Sequence, residues 1–220
     1  MNNDLLQDTI RRGLGRAAAS VGAWCNAYRP KGPANPLDPT HRFLRLQAAF
    51  TSVHPSRPIG YGQPDWIGVF DAAYTRPGDY LVRSLSARGG DTGGVWFIAS
   101  QQPNLPVLCV RASRVVSLAR PAAPLATGVN TYGGVTLAAA TALMTSWPAS
   151  VLAAGGAGAD GAALPADGSP GSWTVLLPAV PGIALRNGDL LTDDLGRTGL
   201  VTSAEQTDLG WRLIVKQATT

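Results

Sequence analysis

The sequence predicts a mainly β protein: an N-terminal amphipathic helix followed by two tandem small β-barrel or sandwich modules related by internal duplication. Three observations carry this. The 26 Gly and 17 Pro, against 15% charged residues, favour many short strands joined by turns. Apolar residues recur at helical spacing near the N-terminus. One order of signals also occurs twice. Asp65-Trp66-Ile67-Gly68-Val69-Phe70-Asp71, Pro77-Gly78-Asp79-Tyr80-Leu81, Gly94 to Gln101 and Leu105 to Val110 are echoed later. The echo is Ser172-Trp173-Thr174-Val175-Leu176-Leu177, Asn187-Gly188-Asp189-Leu190-Leu191, Thr198 to Gln206 and Gly210 to Lys216. The matched features are Trp66 with Trp173, Gly78-Asp79 with Gly188-Asp189, Gly94 with Gly199, and Ala99 and Gln101 with Ala204 and Gln206. A Gly-Asp turn between apolar runs is common in β proteins, so two unrelated sheets sharing hairpin grammar is the competing account.

Along the chain, Asn3 or Asp4 can cap a helix occupying residues 1–20, with Leu6, Ile10, Leu14 and Ala17 or Ala18 on one face and Arg11, Arg12 and Arg16 on another. Gly13 and Gly15 cost this helix about 1 kcal/mol each relative to Ala. It therefore needs a surface to dock on, either the first β module or a neighbouring subunit. The first module spans 21–119. Its strands are Ala23 to Arg29, Arg42 to Phe50 after a Pro/Gly/Asn loop, Trp66 to Ala72, Asp79 to Leu85, Val95 to Ser100 and Val107 to Ala112. Val115 to Leu118 reads as an additional edge strand. Pro121 and Pro124 deny ladder donors and mark a linker at 120–127. The second module, 128–220, opens at Thr131 and continues through an alanine-rich stretch to Leu152, where position favours strand. The Ala/Gly/Asp/Pro stretch 153–171 reads as a flexible loop.

The 45% hydrophobic content over 220 residues is enough for one large or two small cores. The net charge of +4 rests on 18 Lys+Arg, of which 16 are Arg. Such a bias suits interfaces or polyanion contacts, and equally a GC-rich genome. Two distant cysteines, Cys25 and Cys109, sit in apolar runs and read as buried thiols rather than a disulfide framework or zinc site. No apolar run reaches the roughly 20 residues that span a membrane, and the N-terminus lacks the apolar stretch of a signal peptide. Synthesis in a cytoplasm is the expectation.

Chemistry-bearing motifs are weak. Gly156-Ala157-Gly158-Ala159-Asp160-Gly161 matches the dinucleotide-binding glycine pattern, but Ala162 to Pro165 offers no helix to aim at a pyrophosphate. Asp189, Asp193 and Asp194 lack the spacing of a calcium loop, and Asp193 to Arg197 reads as a polar hairpin turn. His41 and His54 have no partner at ligand spacing, and no Gly-x-Ser-x-Gly elbow is present. No catalytic, cofactor or metal residues are assigned.

A helix ending in Leu14-Gly15, a strand at Cys25 to Arg29, the run Ile67-Gly68-Val69-Phe70-Asp71, a Gly-Asp turn and two closing strands resemble the head–tail joining, stopper and tail-completion proteins of tailed bacteriophages. The pattern recurs at Gly188-Asp189-Leu190, Leu200 to Glu205 and Trp211 to Val215, and Trp96 to Pro103 is similar to structural proteins of phages and prophages of Gram-negative bacteria. The chain is longer than a single-barrel joining protein. The resemblance implies a non-enzymatic virion protein, assembled in the host bacterial cytoplasm into a homo-oligomeric ring at the neck, head–tail connector, tail or baseplate. Portal, connector or tail proteins would be its neighbours, with non-specific contact to packaged DNA. Its expected interface comprises Leu6, Ile10, Arg11, Arg12, Leu14 and Arg16 of the helix, and His54, Arg57 and Tyr61 of the loop Thr51 to Pro64. The loop 153–171 is expected to take part as well. The alternative is a two-module carbohydrate- or host-surface-binding protein, with aromatics among Trp24, Trp66, Trp147 and Tyr132 stacking on sugar rings.

Overall fold

In the computed structural model, which describes residues 3–53, 63–83, 93–121, 140–153 and 171–217, helix α1 (Asn3–Val21) precedes two closed six-stranded antiparallel barrels. Barrel 1 contains β1 (Ala23–Tyr28), β2 (Arg42–Ser52), β3 (Asp65–Val69), β4 (Tyr80–Arg83), β5 (Val95–Ser100) and β6 (Val107–Ala112). Barrel 2 contains β7 (Arg114–Arg120), β8 (Thr141–Ala153), β9 (Ser172–Leu177), β10 (Leu190–Asp193), β11 (Thr198–Thr207) and β12 (Gly210–Gln217). The cyclic orders are β1-β2-β3-β6-β5-β4 and β7-β8-β9-β12-β11-β10, so strand for strand the two topologies are the same. Closure leaves neither sheet with an unpaired edge.

The repetition extends to register. Cys25 pairs with Leu46 as Val116 pairs with Trp147, Tyr80 with Phe97 as Leu190 with Leu200, and Trp66 with Cys109 as Trp173 with Val215. A bulge between Ile98 and Ser100 against β6 recurs between Val201 and Ser203 against β12. Trp66 and Trp173 are thus equivalent, each the second residue of its barrel's third strand. The matches of Gly94 with Gly199 and Ala99 with Ala204 are corrected by two residues. Hydrogen bonding places Ile98 opposite Asp79 and Val201 opposite Asp189, which makes Ile98 and Val201 the equivalent pair. A two-residue slip keeps the inward and outward faces unchanged, so alternation in the sequence cannot detect it.

The boundary between the modules also moves. β7, expected at the edge of the first module, opens barrel 2, pairing with β8 and β10. Ser113 alone separates β6 from β7, so Pro121 lies between two strands of barrel 2 rather than between modules. β7 belongs there because Val116 and Leu118 are fully buried in the second core and Arg120 meets Asp189 of β10's turn. The remainder of the expected 120–127 linker, from 122 onward, lies outside the described residues, as does Thr131 to Leu137. The alanine-rich segment resolves as strand β8.

The helix packs on β2 and β3 of barrel 1. Its glycines explain how closely it lies: a Cβ on Gly15 would sit 3.1 Å from the Asp71 Cβ, and one on Gly22 would fall 2.8 Å from the Ala48 carbonyl carbon. Ala18 is buried with Cys25, Ala48 and Cys109 in the first core, while Leu6, Ile10 and Leu14 are half-buried. Of the two docking surfaces expected for the helix, the chain's own first barrel is the one observed.

Candidate assembly surfaces

Each barrel carries the same polar clamp. A guanidinium from the end of the first strand grips the aspartate of the Gly-Asp turn. Arg29 Nε and Nη2 donate to Asp79 at 2.8 and 2.7 Å, and Arg120 Nε and Nη2 donate to Asp189 at 2.8 and 3.0 Å. Each Nη2 also donates to a carbonyl of the preceding loop, Tyr74 O at 3.0 Å and Ala184 O at 2.8 Å. The second oxygen of each carboxylate accepts a backbone N–H three residues earlier, from Arg76 at 3.0 Å and Arg186 at 2.7 Å. Asp79 and Asp189 are buried, and these fixed donors replace water around them. The hydrogen bonds to aspartate hold both guanidinium pKa values above the ordinary arginine value; burial works against this and ion-pair attraction adds to it. The turns require glycine, with φ of 93° at Gly78 and 91° at Gly188.

A further carboxylate, Asp193, is committed in the same way. It accepts N–H donors from Leu195 and Arg197 and the Arg197 Nε at 2.7 Å, closing the β10–β11 hairpin. Burial pushes its pKa up, but the hydrogen bonds of Arg197 and Leu195 and the Arg197 charge outweigh that and hold it below the ordinary value. Arg197 also lies 4.7 Å from the centroid of the Trp173 ring. Among the described residues no group of three or more His, Cys, Asp or Glu is placed to hold a metal. His41 lies in a 3-10 turn, Pro39–His41, and the glycine pattern 156–161 lies outside the described residues.

The barrels meet along a seam centred on the buried Tyr80. Its hydroxyl donates to Pro148 O at 2.8 Å, and its ring meets Phe97 and, edge-on, Trp147 at centroid distances of 6.0 and 6.1 Å. Burial raises the Tyr80 phenol pKa well above its ordinary value, so it remains a neutral donor. The loop after β1 crosses to barrel 2, where Pro33 O accepts from Trp147 Nε1 at 2.9 Å and from Thr145 N at 2.8 Å. Pro36 is buried there and Leu37 packs on the second core. In the sequence this strap reads only as a Pro/Gly/Asn loop, because nothing local announces a distant partner for a carbonyl. Beside the seam a cleft of about 240 Å³ is walled by Phe97, Leu108 and Val110 on one side and Leu176, Leu209 and Trp211 on the other.

Of the expected interface residues, Leu6, Ile10 and Leu14 turn partly inward, Arg11 is half-buried with Nη1 3.8 Å from Asp8, and Arg12 and Arg16 are exposed. His54, Arg57 and Tyr61 lie outside the described residues, as does 154–170 of the second loop. Of the aromatics weighed for sugar stacking, Trp147 is fully buried and Trp66 half-buried facing the first core. Trp24 is exposed with Arg45 over its ring at 4.7 Å, and Tyr132 lies outside the described residues. No described helix is long and apolar enough to cross a membrane. Comparisons with protein-family models, characterised proteins and solved structures returned no match.

Proposed function

We propose that this chain is a non-enzymatic structural component of a tailed-phage particle, a ring-forming protein at the neck, head–tail connector, tail or baseplate. The single observation that carries the reading is the rigid duplication. Two closed barrels of identical topology are joined by one residue, bolted by Tyr80 and Pro33, and each is fixed by an Arg–Asp clamp. Three buried carboxylates among the described residues are engaged by the fold: Asp79, Asp189 and Asp193 each accept from an arginine side chain and from backbone N–H donors. Such a body suits a building block whose geometry must survive load. The phage context comes from the resemblance of the Gly-Asp turns, closing strands and N-terminal helix to joining proteins. Neighbouring portal, connector or tail proteins would contact the arginine-bearing helix face, Arg12 and Arg16, with packaged DNA as a further polyanion contact. The chain would be assembled in the host bacterial cytoplasm.

The test is mass spectrometry and imaging of purified particles from the phage or prophage that encodes the chain. Multiple symmetric copies on the tail axis are expected. Absence from the particle overturns the proposal and returns attention to surface binding at the exposed Trp24 and Tyr74.

A further inference from the structure

Because the barrels superpose strand for strand, each outer face of one has a counterpart on the other, and the fates of the two can be compared. The outer face of β4, β5 and β6 presents Tyr80, Phe97 and Val110 to barrel 2. The registers make its counterpart Leu190, Leu200 and Lys216 of barrel 2, where Leu200 is 43% exposed. Both rows continue onto the third strand: Asp65 stands opposite Val110, and its counterpart Ser172 opposite Lys216. The shared skeleton therefore does not need a carboxylate at this position. Asp65 is half-buried on the wall of the cleft of about 240 Å³ beside the seam, in one row with Val110 and Phe97. Leu176 and Trp211 face it, with the exposed Glu205 and Arg212 at the rim. Among the described residues lining the cleft Arg212 is the only cation, and it is committed to Glu205, with Nε at 2.9 Å and Nη2 at 2.6 Å. No described group donates to the Asp65 carboxylate, and burial raises its pKa with no neighbouring charge or hydrogen bond to oppose the rise. The cleft thus holds apolar walls and one carboxylate in excess of its cations.

We propose that this inter-barrel cleft is a binding site for a small organic monocation, an ammonium or guanidinium group carried on a single ring or a short hydrocarbon chain. The size limit follows from the volume, which lies below the roughly 300–1,000 Å³ of pockets that take drug-sized ligands. The hydrocarbon part displaces water from Phe97, Val110, Leu176 and Trp211. The cationic head meets Asp65 in a charge-assisted contact that the described chain does not supply. A neutral ring would leave Asp65 partly desolvated and unpaired, and an anion would add repulsion. Both walls come from one chain, so binding here does not depend on incorporation into a particle.

The experiment titrates the full chain with phenethylamine, followed by NMR at the Trp211 indole N–H and the Leu176 and Leu209 methyl groups. Phenethyl alcohol and phenylacetate serve as its neutral and anionic twins. The amine is expected to shift these resonances saturably. The alcohol and the acid should bind at least about tenfold more weakly, the size of one lost charge-assisted hydrogen bond. Asp65→Asn, which keeps the side chain's shape, should cut amine affinity by a similar factor and leave alcohol binding as it was, with circular dichroism confirming the β signal. Asp8→Asn removes an exposed carboxylate on α1 and should change nothing. The amine-to-alcohol ratio is read on the unaltered chain, so the test stands even if a variant misfolds. Equal affinity for amine and alcohol, no saturable shift with the amine, shifts confined to resonances away from the cleft, or an Asp65→Asn chain that binds the amine as before overturns the proposal. Binding seen only with a lysine- or arginine-bearing peptide also overturns it and assigns the cleft to a protein partner.

Discussion

The two barrels share a skeleton but fill it differently. In barrel 1 the inward position on β5 is Trp96, stacked on Phe50 with ring centroids 4.0 Å apart, while β3 contributes Gly68, whose missing Cβ makes room for Phe70 and Cys109. In barrel 2 the position equivalent to Trp96 is Gly199, which a Cβ would crowd against Val215 and the Trp173 ring, and Gly68 is replaced by Val175. The large ring there comes from β8, where Trp147 stands in the place of Leu46. Interior volume is redistributed among strands while register, bulge and clamp are kept. Backbone hydrogen bonding tolerates only one geometry, whereas close packing constrains total volume more than its source. The outer faces diverge for a different reason: one of each pair is buried within the chain and the other is not.

The comparison can be broken most severely at Trp147, which fills barrel 2 and also donates to Pro33 of barrel 1. Trp147→Ala should cost about 3–5 kcal/mol in chemical denaturation, whereas Leu46→Ala, its counterpart, should fall nearer the low end of the ~2–5 kcal/mol range for aliphatic truncations. Equal losses would mean that the seam adds nothing. The clamps should behave alike. Asp79→Ala and Asp189→Ala each remove two guanidinium bonds and the side-chain acceptor of one backbone N–H, leaving an arginine that can reach solvent, and each should cost about 2–3 kcal/mol. A markedly smaller loss at one site would show that the clamps are alike in geometry but not in energy.

The turns permit a finer comparison. Alanine at Gly78 or Gly188 meets no close atom, the nearest being Ala179 O at 3.5 Å from a Cβ on Gly78, so its penalty is conformational. Both substitutions should cost about 1–2 kcal/mol, read as equal shifts in denaturation midpoint. The smallest effect is pH dependence at the β10–β11 turn. Asp193 has a depressed folded-state pKa, so its contribution is present above the unfolded value of about 3.9 and is lost as pH falls through the lower folded value. Asp193→Asn should flatten the stability profile within that acid window, from about the unfolded value downward. An unchanged slope would assign the acid sensitivity to other carboxylates.

Much of this architecture could be read from the chain itself. Helical spacing at Leu6, Ile10 and Leu14, alternation along Trp173 to Leu177, and the two Gly-Asp turns are signals confined to a few residues. They identified the helix, most strands and the repeat. The candidate surfaces were legible only in part. The helix stripe with Ala17 or Ala18 could be seen, but not which of the two docking surfaces it would take; Ala18 and the space at Gly15 seat it on the chain's own barrel. The clamps leave no local signal, because Arg29 and Asp79 lie fifty residues apart and an isolated arginine before a proline carries no mark of its partner.

The amino-acid sequence alone determined where strands and turns form, because dihedral preference and hydrophobic alternation act over a few residues. Tertiary structure decided that β7 belongs to barrel 2, that Ile98 rather than Ala99 sets the equivalence with the second module, and that Pro33 straps the barrels together. It also decided which of two homologous faces is buried. These outcomes depend on closing a sheet through long-range hydrogen bonds and filling a shared volume, and neither constraint is expressed in any short stretch of chain.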